Sequence, residues 1–246
     1  MAAKAVGTSH LRTNLPCQDW FVCSTQQADW ILIAVADGAG SASRSERGAE
    51  LATSCVVAEM LAALAEGGLT CIEAARRSII KARELVMEEA VALQLQPREL
   101  ACTLLFVAMG PGGGVACQIG DGLVAVKPNS DDWVWVFWPQ RGEYANVTHF
   151  LTDDDALTVL ELDELGSDID EFAVLTDGLE PLALHYATRS THTRFFEGMI
   201  APLRAASGDG HIAELSAKLE EFLTSDRVRE RADDDLSIVL ATNTTT

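Results

Sequence analysis

The chain has 246 residues, 48% of them hydrophobic, and a formal net charge of -19. That length and apolar content suit one large domain with a sizeable core and argue against disorder. The charge weighs against nucleic acid and anionic membrane as partners, because the field of the molecule repels polyanions.

No window reads as the run of ~18 apolar residues that a membrane span needs. The N-terminal MAAKAVGTSHLRTNLP lacks the apolar core of a signal peptide. The six cysteines (Cys17, Cys23, Cys55, Cys71, Cys102 and Cys117) include no CxxC pair. They read as buried thiols of a reducing, cytoplasmic setting, not as a disulfide framework or a zinc site.

In chain order, residues 18–25 and 30–36 are predicted to be two strands around the turn STQQAD. A helix follows from Ser45 to about Ala65, carried by Ala49, Leu51, Ala52, Cys55, Val56, Met60 and Leu64 at helical spacing. EGGLT ends it, Thr70 caps a second helix over roughly 70–95, and Pro97 lies just beyond. Residues 101–109, 115–120 and 121–127 read as three consecutive short strands with glycine turns. DWVWVFW alternates aromatics with valines as a strand, its Trp133, Trp135, Phe137 and Trp138 packing between layers. Further strands are predicted at 146–151, 156–162 and 171–176, then helices at 179–187, 191–205 and 211–224. The strand LSIVLAT and a polar tail close the chain. Helices segregated from a run of short strands predict an α+β fold with layered packing.

Three Asp-Gly steps (Asp37-Gly38, Asp121-Gly122 and Asp177-Gly178) each sit at one end of a strand-like apolar run. Asp233–Asp235 precedes the last strand and Gln18-Asp19 an early one. A lone Asp-Gly is an ordinary hairpin turn. Five such acids at strand ends read instead as loops that meet and hold hard cations, since Mg²⁺ and Mn²⁺ take oxygen ligands.

The order CQDWF, AVADGAG, GAELAT, CTLLFVA, CQIGDG, VLTDGL, DDLSIVL resembles the metal-dependent protein phosphatases of the PP2C type, the PPM family, in its bacterial branch. The GTSH element before the QD step and GEYANVTHFL in mid-chain fit that branch. The resemblance runs from about Gly7 to Ala241. It implies a single domain over residues 1–246, built as a four-layer αββα sandwich of two antiparallel sheets flanked by helices. It implies hydrolysis of phosphoserine and phosphothreonine by a hydroxide held between two Mn²⁺ or Mg²⁺ ions, with a third, weaker metal. It also implies phosphoprotein substrates and a cognate serine/threonine kinase.

Residue by residue, Asp37 matches the acid that bridges two metals, and Gly38 the glycine whose carbonyl joins them. Asp177 and Asp234 match further ligands, with Asp235 at the position of a family asparagine and the register within Asp233–Asp235 open by one residue. Asp19 matches an acid that acts through water, Gln18 stands where many members have glutamate, and Asp121 matches a third-metal residue. Arg12 is the phosphate ligand by type, and His10 is the alternative phosphate ligand and a candidate proton donor to the leaving alkoxide. Ala39 stands where eukaryotic members often carry a histidine.

Asp153–Asp155 reads as a solvated run. His149, His185, His192 and His211 are scattered without metal spacing, and RVRER at 227–231 is a solvated stretch. Two other readings remain: a PP2C-like regulatory binding module with little or no catalysis, and a phosphatase of small phosphorylated metabolites. Retention of Asp37, Asp177 and Asp234 speaks against the first.

Overall fold

The computed structural model describes residues 1–27, 29–129, 132–140 and 148–243. In chain order the elements are β1 (Ala2–Ala5), α1 (Thr8–Thr13), β2 (Trp20–Ser24), β3 (Ile31–Ala36), α2 (Ser45–Glu66) and α3 (Cys71–Ala92), then a 3₁₀ turn (Pro97–Leu100), β4 (Leu104–Gly110), β5 (Gly113–Ile119), β6 (Leu123–Pro128) and β7 (Val134–Trp135). They continue as α4 (Ala156–Val159), β8 (Glu161–Leu165), β9 (Ile169–Leu175), a second 3₁₀ turn (Asp177–Leu179), α5 (Glu180–Ala183), β10 (Leu184–His185), β11 (Ser190–Thr191), α6 (Thr193–Arg204), α7 (Ala213–Leu223), α8 (Asp226–Arg229) and β12 (Leu236–Thr242).

Two antiparallel five-stranded sheets carry the fold, in the orders β1-β12-β9-β6-β7 and β2-β3-β4-β5-β8, with β10 and β11 as a separate small pair. Period-two alternation assigns each face. From β3, Ile33 and Val35 meet Val124, Phe172, Val174 and Val239 in the layer between the sheets. Leu32, Ala34 and Ala36 of the same strand point the other way, to Ala52, Val56, Met60, Ile79 and Val86 of α2 and α3. The far face of the other sheet (Leu123, Ala173, Leu175, Ile238 and Leu240) packs on Phe196 and Ile200 of α6 and Leu219 and Leu223 of α7. The layers are therefore α, β, β, α, and the strands buried on both faces read as near-continuous apolar runs.

Thr70 caps α3 as read, and the cap is a capping box: its hydroxyl accepts from the Glu73 N–H while Glu73 accepts from the Thr70 N–H. Helix α2 corrects the reading that no window approaches a membrane span, since it is long and apolar enough to cross one, at a mean hydropathy of 1.5. Here its Ala49, Ala52, Val56 and Met60 are fully buried in the core formed with β3, β4 and α3, so its apolarity is core packing.

Gly48 lets α2 reach that core. A Cβ there would lie 2.0 Å from the Leu100 carbonyl oxygen. Helix propensity alone makes Gly→Ala stabilising by ~1 kcal/mol, whereas overpacking a close backbone approach costs about 1–3 kcal/mol or more. The contact wins: Gly48→Ala is expected to lower Tm by several degrees, at roughly 2–4 °C per kcal/mol for a chain of this size. A thermal melt with equal or higher Tm would show that α2 shifts freely.

The differences from the sequence reading have physical causes. The 115–120 and 121–127 strands do not lie side by side: β5 and β6 belong to different sheets, and Gly120–Gly122 carries the chain across. Of DWVWVFW only Val134–Trp135 pairs, because Trp133 turns inward to stack on Phe196 with ring centroids 4.9 Å apart. The strand read at 156–162 divides into α4 and β8. Of the strand read at 146–151, residues 146 and 147 lie outside the described residues, and 148–151 form no strand. The helix read at 179–187 ends at Ala183, where β10 begins. The short α1 and α8 and the edge strand β1 span too few residues for periodicity to reveal them. The cysteines are less uniformly buried than read: Cys102 and Cys117 are buried, Cys17, Cys55 and Cys71 half-buried, and Cys23 exposed.

Candidate active site

Strand register brings the sequence-distant acids to one end of the sandwich. Trp20 of β2 pairs with Ala36 of β3, so Asp19, just before β2, is level with Asp37, just after β3. In the other sheet Leu175 of β9 pairs with both Ile238 of β12 and Leu123 of β6. That sets Asp177 beside the Asp233–Asp235 run and beside Asp121. The two sheets meet across this end, where Thr176 Oγ1 donates to Asp19 Oδ2 at 2.8 Å.

Local geometry fixes the Asp37 turn. The Asp37 N–H donates to Thr103 Oγ1 at 2.9 Å, and the Thr103 N–H donates to the Asp37 carbonyl at 2.8 Å. Gly38 bridges Cys102 on the next strand. A Cβ on Gly38 would lie 2.8 Å from both the Gln18 carbonyl oxygen and Ser45 Cβ, so only glycine seats this turn against β2 and α2. At Gly178 a Cβ would lie 2.1 Å from the Asp235 carbonyl oxygen, which is how closely the Asp177 turn approaches the start of β12.

The electrostatics are those of acids held together. Burial raises Asp37 well above the carboxylate range, and Asp19, Asp177 and Asp234 push it further. Burial lifts Asp177 to about 8, with Asp121, Asp234, Asp19 and Glu180 adding to the rise. Asp19 is fully buried and raised by that burial to about 6, against the lowering effect of hydrogen bonds with Asp37 and Thr176. Its contact with Asp37 is a hydrogen bond only when one of the two carboxyls carries a proton. With both ionised, Asp19 Oδ1 is a buried oxygen without a donor. No lysine or arginine figures among the main influences on Asp19, Asp37 or Asp177. Lys4 comes near, but its ammonium donates to the Asp19 backbone carbonyl at 2.9 Å and lies over the Trp20 ring.

Asp19, Asp37, Asp121, Asp177 and Asp234 are thus brought together. Their neighbours Asp234 and Asp235 part company. Asp234 is exposed and acts on Asp37 and Asp177, whereas Asp235 is 1% exposed, acts on Asp19 and spends its oxygens on other donors. Its carboxylate accepts from the Gly7 N–H at 2.7 Å, the Gln18 N–H at 2.6 Å and His10 Nδ1 at 2.9 Å. His10 is nearly buried on α1. Arg12, two residues on and so on the opposite face of the helix, is exposed and makes no ion pair among the described residues. Sequence reasoning placed Asp235 at the position of a family asparagine without naming its partners, and passed over Thr103 and Thr176. A hydroxyl residue directly before the Asp-Gly step, as in Thr176-Asp177, was the available signal.

A second group differs from the reading of scattered histidines. His149, Asp153 and Asp155 each place a ligand atom within 4.8 Å of the others. Asp153 Oδ2 already accepts from the Phe150 N–H at 2.8 Å, and Arg83 donates to the Asp153 carbonyl at 3.0 Å. These bonds close a turn on itself, and no buried oxygen of the three lacks a donor as Asp19 Oδ1 does.

An αββα sandwich with buried acids at one shared end of both sheets defines a class, the metal-dependent phosphatases. The sequence profile of protein phosphatase 2C matches residues 6–224. Serine/threonine-protein phosphatase 3 of Escherichia coli K12 is 37% identical over 246 residues, covering 97% of this chain and 96% of its own. Among solved structures, a bacterial serine phosphatase superposes with a TM-score of 0.70 at 12% identity, covering 98% of this chain and 96% of that one. The serine/threonine phosphatase Stp1 of Staphylococcus aureus gives 0.65 at 13% identity, covering 99% and 94%. The chain belongs to the protein phosphatase 2C family.

Proposed function

We propose that this serine/threonine phosphatase of the protein phosphatase 2C family hydrolyses phosphoserine and phosphothreonine with two divalent cations, Mn²⁺ or Mg²⁺, held by Asp37, the Gly38 carbonyl, Asp177 and Asp234. The observation that carries this reading is the acid cluster itself. Several mutually repelling carboxylates surround a buried Asp19 oxygen that has no donor among the described residues, and no lysine or arginine is among the main influences on Asp19, Asp37 or Asp177. Such an arrangement is costly unless cations occupy it, and its all-oxygen donor set suits hard ions. When bound, the pair supplies Lewis acidity that activates water for in-line attack and offsets charge on the phosphoryl oxygens.

The chain's residues do the positioning. Asp37, on which Asp19, Asp177 and Asp234 all act, is the residue that would hold both cations. Asp19, held at Oδ2 by Thr176, would hold a cation through water. Asp121 beside Asp177 is the residue for a third, weaker site. Arg12, exposed on α1, is the available guanidinium for the phosphate. The cytoplasm as location, which rests on the free cysteines, and a serine/threonine kinase whose products the enzyme reverses, which rests on the family resemblance, complete the reading.

The test is hydrolysis of a phosphothreonine peptide, an aryl phosphate and a panel of phosphorylated metabolites, with Mn²⁺ and with EDTA. Mn²⁺-dependent release from the peptide is expected. Turnover of metabolites alone would replace the protein substrate with a small one, and turnover of nothing would favour a binding module. Activity that persists in EDTA would remove the cations from the reaction.

A further inference from the structure

We propose that Asp235 is a positioning residue that holds His10 as the proton donor to the leaving alcohol; this deepens the metal-phosphatase reading and rests on it. Asp235 belongs to the acidic run before β12, but its surroundings are unlike those of Asp234. Two backbone N–H groups already donate to it, Gly7 to Oδ1 and Gln18 to Oδ2. It therefore acts as acceptor toward the ring, and His10 Nδ1 carries the hydrogen. The pair is 1% and 9% exposed, so water does not compete for that bond.

With Nδ1 fixed, Nε2 is the working nitrogen. It makes no hydrogen bond among the described residues, and it faces the turn that follows Asp37: a Cβ built on Gly40 would lie 3.9 Å from His10 Nε2 and 3.9 Å from Gln18 Oε1. Gln18 is 3% exposed and its Oε1 has no partner, so a buried acceptor without a donor borders the same space. The turn itself carries Gly38, Ala39 and Gly40 and has no proton donor of its own in its side chains. Nε2, bordering Gly40 in the turn that follows Asp37, is the donor for the ester oxygen of a phosphorylated serine or threonine.

The step balances as follows. Water oxygen forms a bond to phosphorus, and the phosphorus–ester bond breaks with its electron pair going to the ester oxygen. That oxygen takes the Nε2 proton of imidazolium His10, whose positive charge Asp235 stabilises through Nδ1–H. The proton released by the attacking water returns to Nε2 through solvent, and the alcohol leaves neutral.

The experiment uses the Mn²⁺-loaded enzyme, His10→Gln and Asp235→Asn, with thermal melts to check that each folds. Two substrates separate the roles. A phosphothreonine peptide has a poor leaving group that needs a proton, and a nitrophenyl phosphate has a good one that needs it less. Both variants are expected to lose about 10²–10⁴-fold on the peptide, the usual worth of general acid catalysis, and at least about tenfold less than that on the aryl ester. An independent readout is the ¹⁵N spectrum of His10, taken also without metal. Neutral wild type should carry hydrogen on Nδ1, and Asp235→Asn should shift the ring toward the Nε2–H tautomer. Equal losses on both substrates, an undiminished peptide rate, or an Nε2–H tautomer in folded wild type would overturn the assignment. If an Asp235 variant unfolds, the His10→Gln substrate ratio and the wild-type tautomer still decide it. Wild-type peptide turnover that survives EDTA would overturn the parent reading instead, and would be recognised as such because it precedes any variant.

Discussion

Asp37→Asn is expected to reduce Mn²⁺-dependent phosphopeptide hydrolysis by on the order of 10²–10³-fold, the scale of removing one preorganised electrostatic contact from a transition state. Asparagine keeps the shape of the turn and the backbone bonds to Thr103, so the loss isolates charge from fold. Asp37 is the acid on which Asp19, Asp177 and Asp234 all act, and neutralising it removes the carboxylate proposed to hold both cations. The variant should need far more Mn²⁺ for half-maximal activity, and titrating the metal at fixed substrate separates that from a lower maximal rate. Activity within a few-fold of wild type at all Mn²⁺ levels would show that Asp37 holds no cation.

The second large effect concerns stability without metal. Burial and neighbouring acids raise Asp177 to about 8, and burial raises Asp19 to about 6, both from 3.8. A carboxyl with a raised folded value binds its proton more tightly in the folded chain. Its contribution is full below about pH 4 and is lost as pH rises through the folded value. In EDTA the wild type should therefore lose stability between about pH 4 and pH 8 relative to Asp177→Asn. The variant's Tm advantage should widen across that window to at least about 4 °C, which corresponds to more than ~1 kcal/mol for this size. Excess Mn²⁺ at pH 8 should reverse the order, since the variant lacks a ligand and gains less from mass action. A Tm difference that stays constant from pH 4 to pH 8 would contradict the crowding of charges described for this site.

What could be read in the sequence tracks what is local. Ile31–Ala36 and Thr70–Glu73 announced a buried strand and a capped helix, because apolar runs and capping boxes depend on neighbours a few residues apart. The Asp-Gly steps marked strand ends, and family order assigned them a shared site. The partition of strands between sheets was not legible: nothing in Gly120–Gly122 says that β6 leaves the sheet of β5, because that choice depends on pairing with β9, nearly fifty residues on. The same limit hid Asp235. Its three donors come from Gly7, His10 and Gln18, more than two hundred residues away, and nothing local in the acidic run announces them. The histidines likewise looked scattered because His149 meets its acids through a turn, not through a helical spacing.

The bonds that tie α1 to the Asp233–Asp235 run have a meaning in time as well as in space. Gly7 and Ser9 donate to residues beyond 230, and β1 pairs along β12. The acid cluster therefore lacks Asp234 until the last strand has been synthesised and has threaded between β1 and β9. Closure at such sequence separation is slow relative to the local α2–α3 and β4–β5 contacts. A nascent chain can thus bury most of its core while its phosphatase centre is still in pieces, and catalytic competence arrives as one of the final events of its folding.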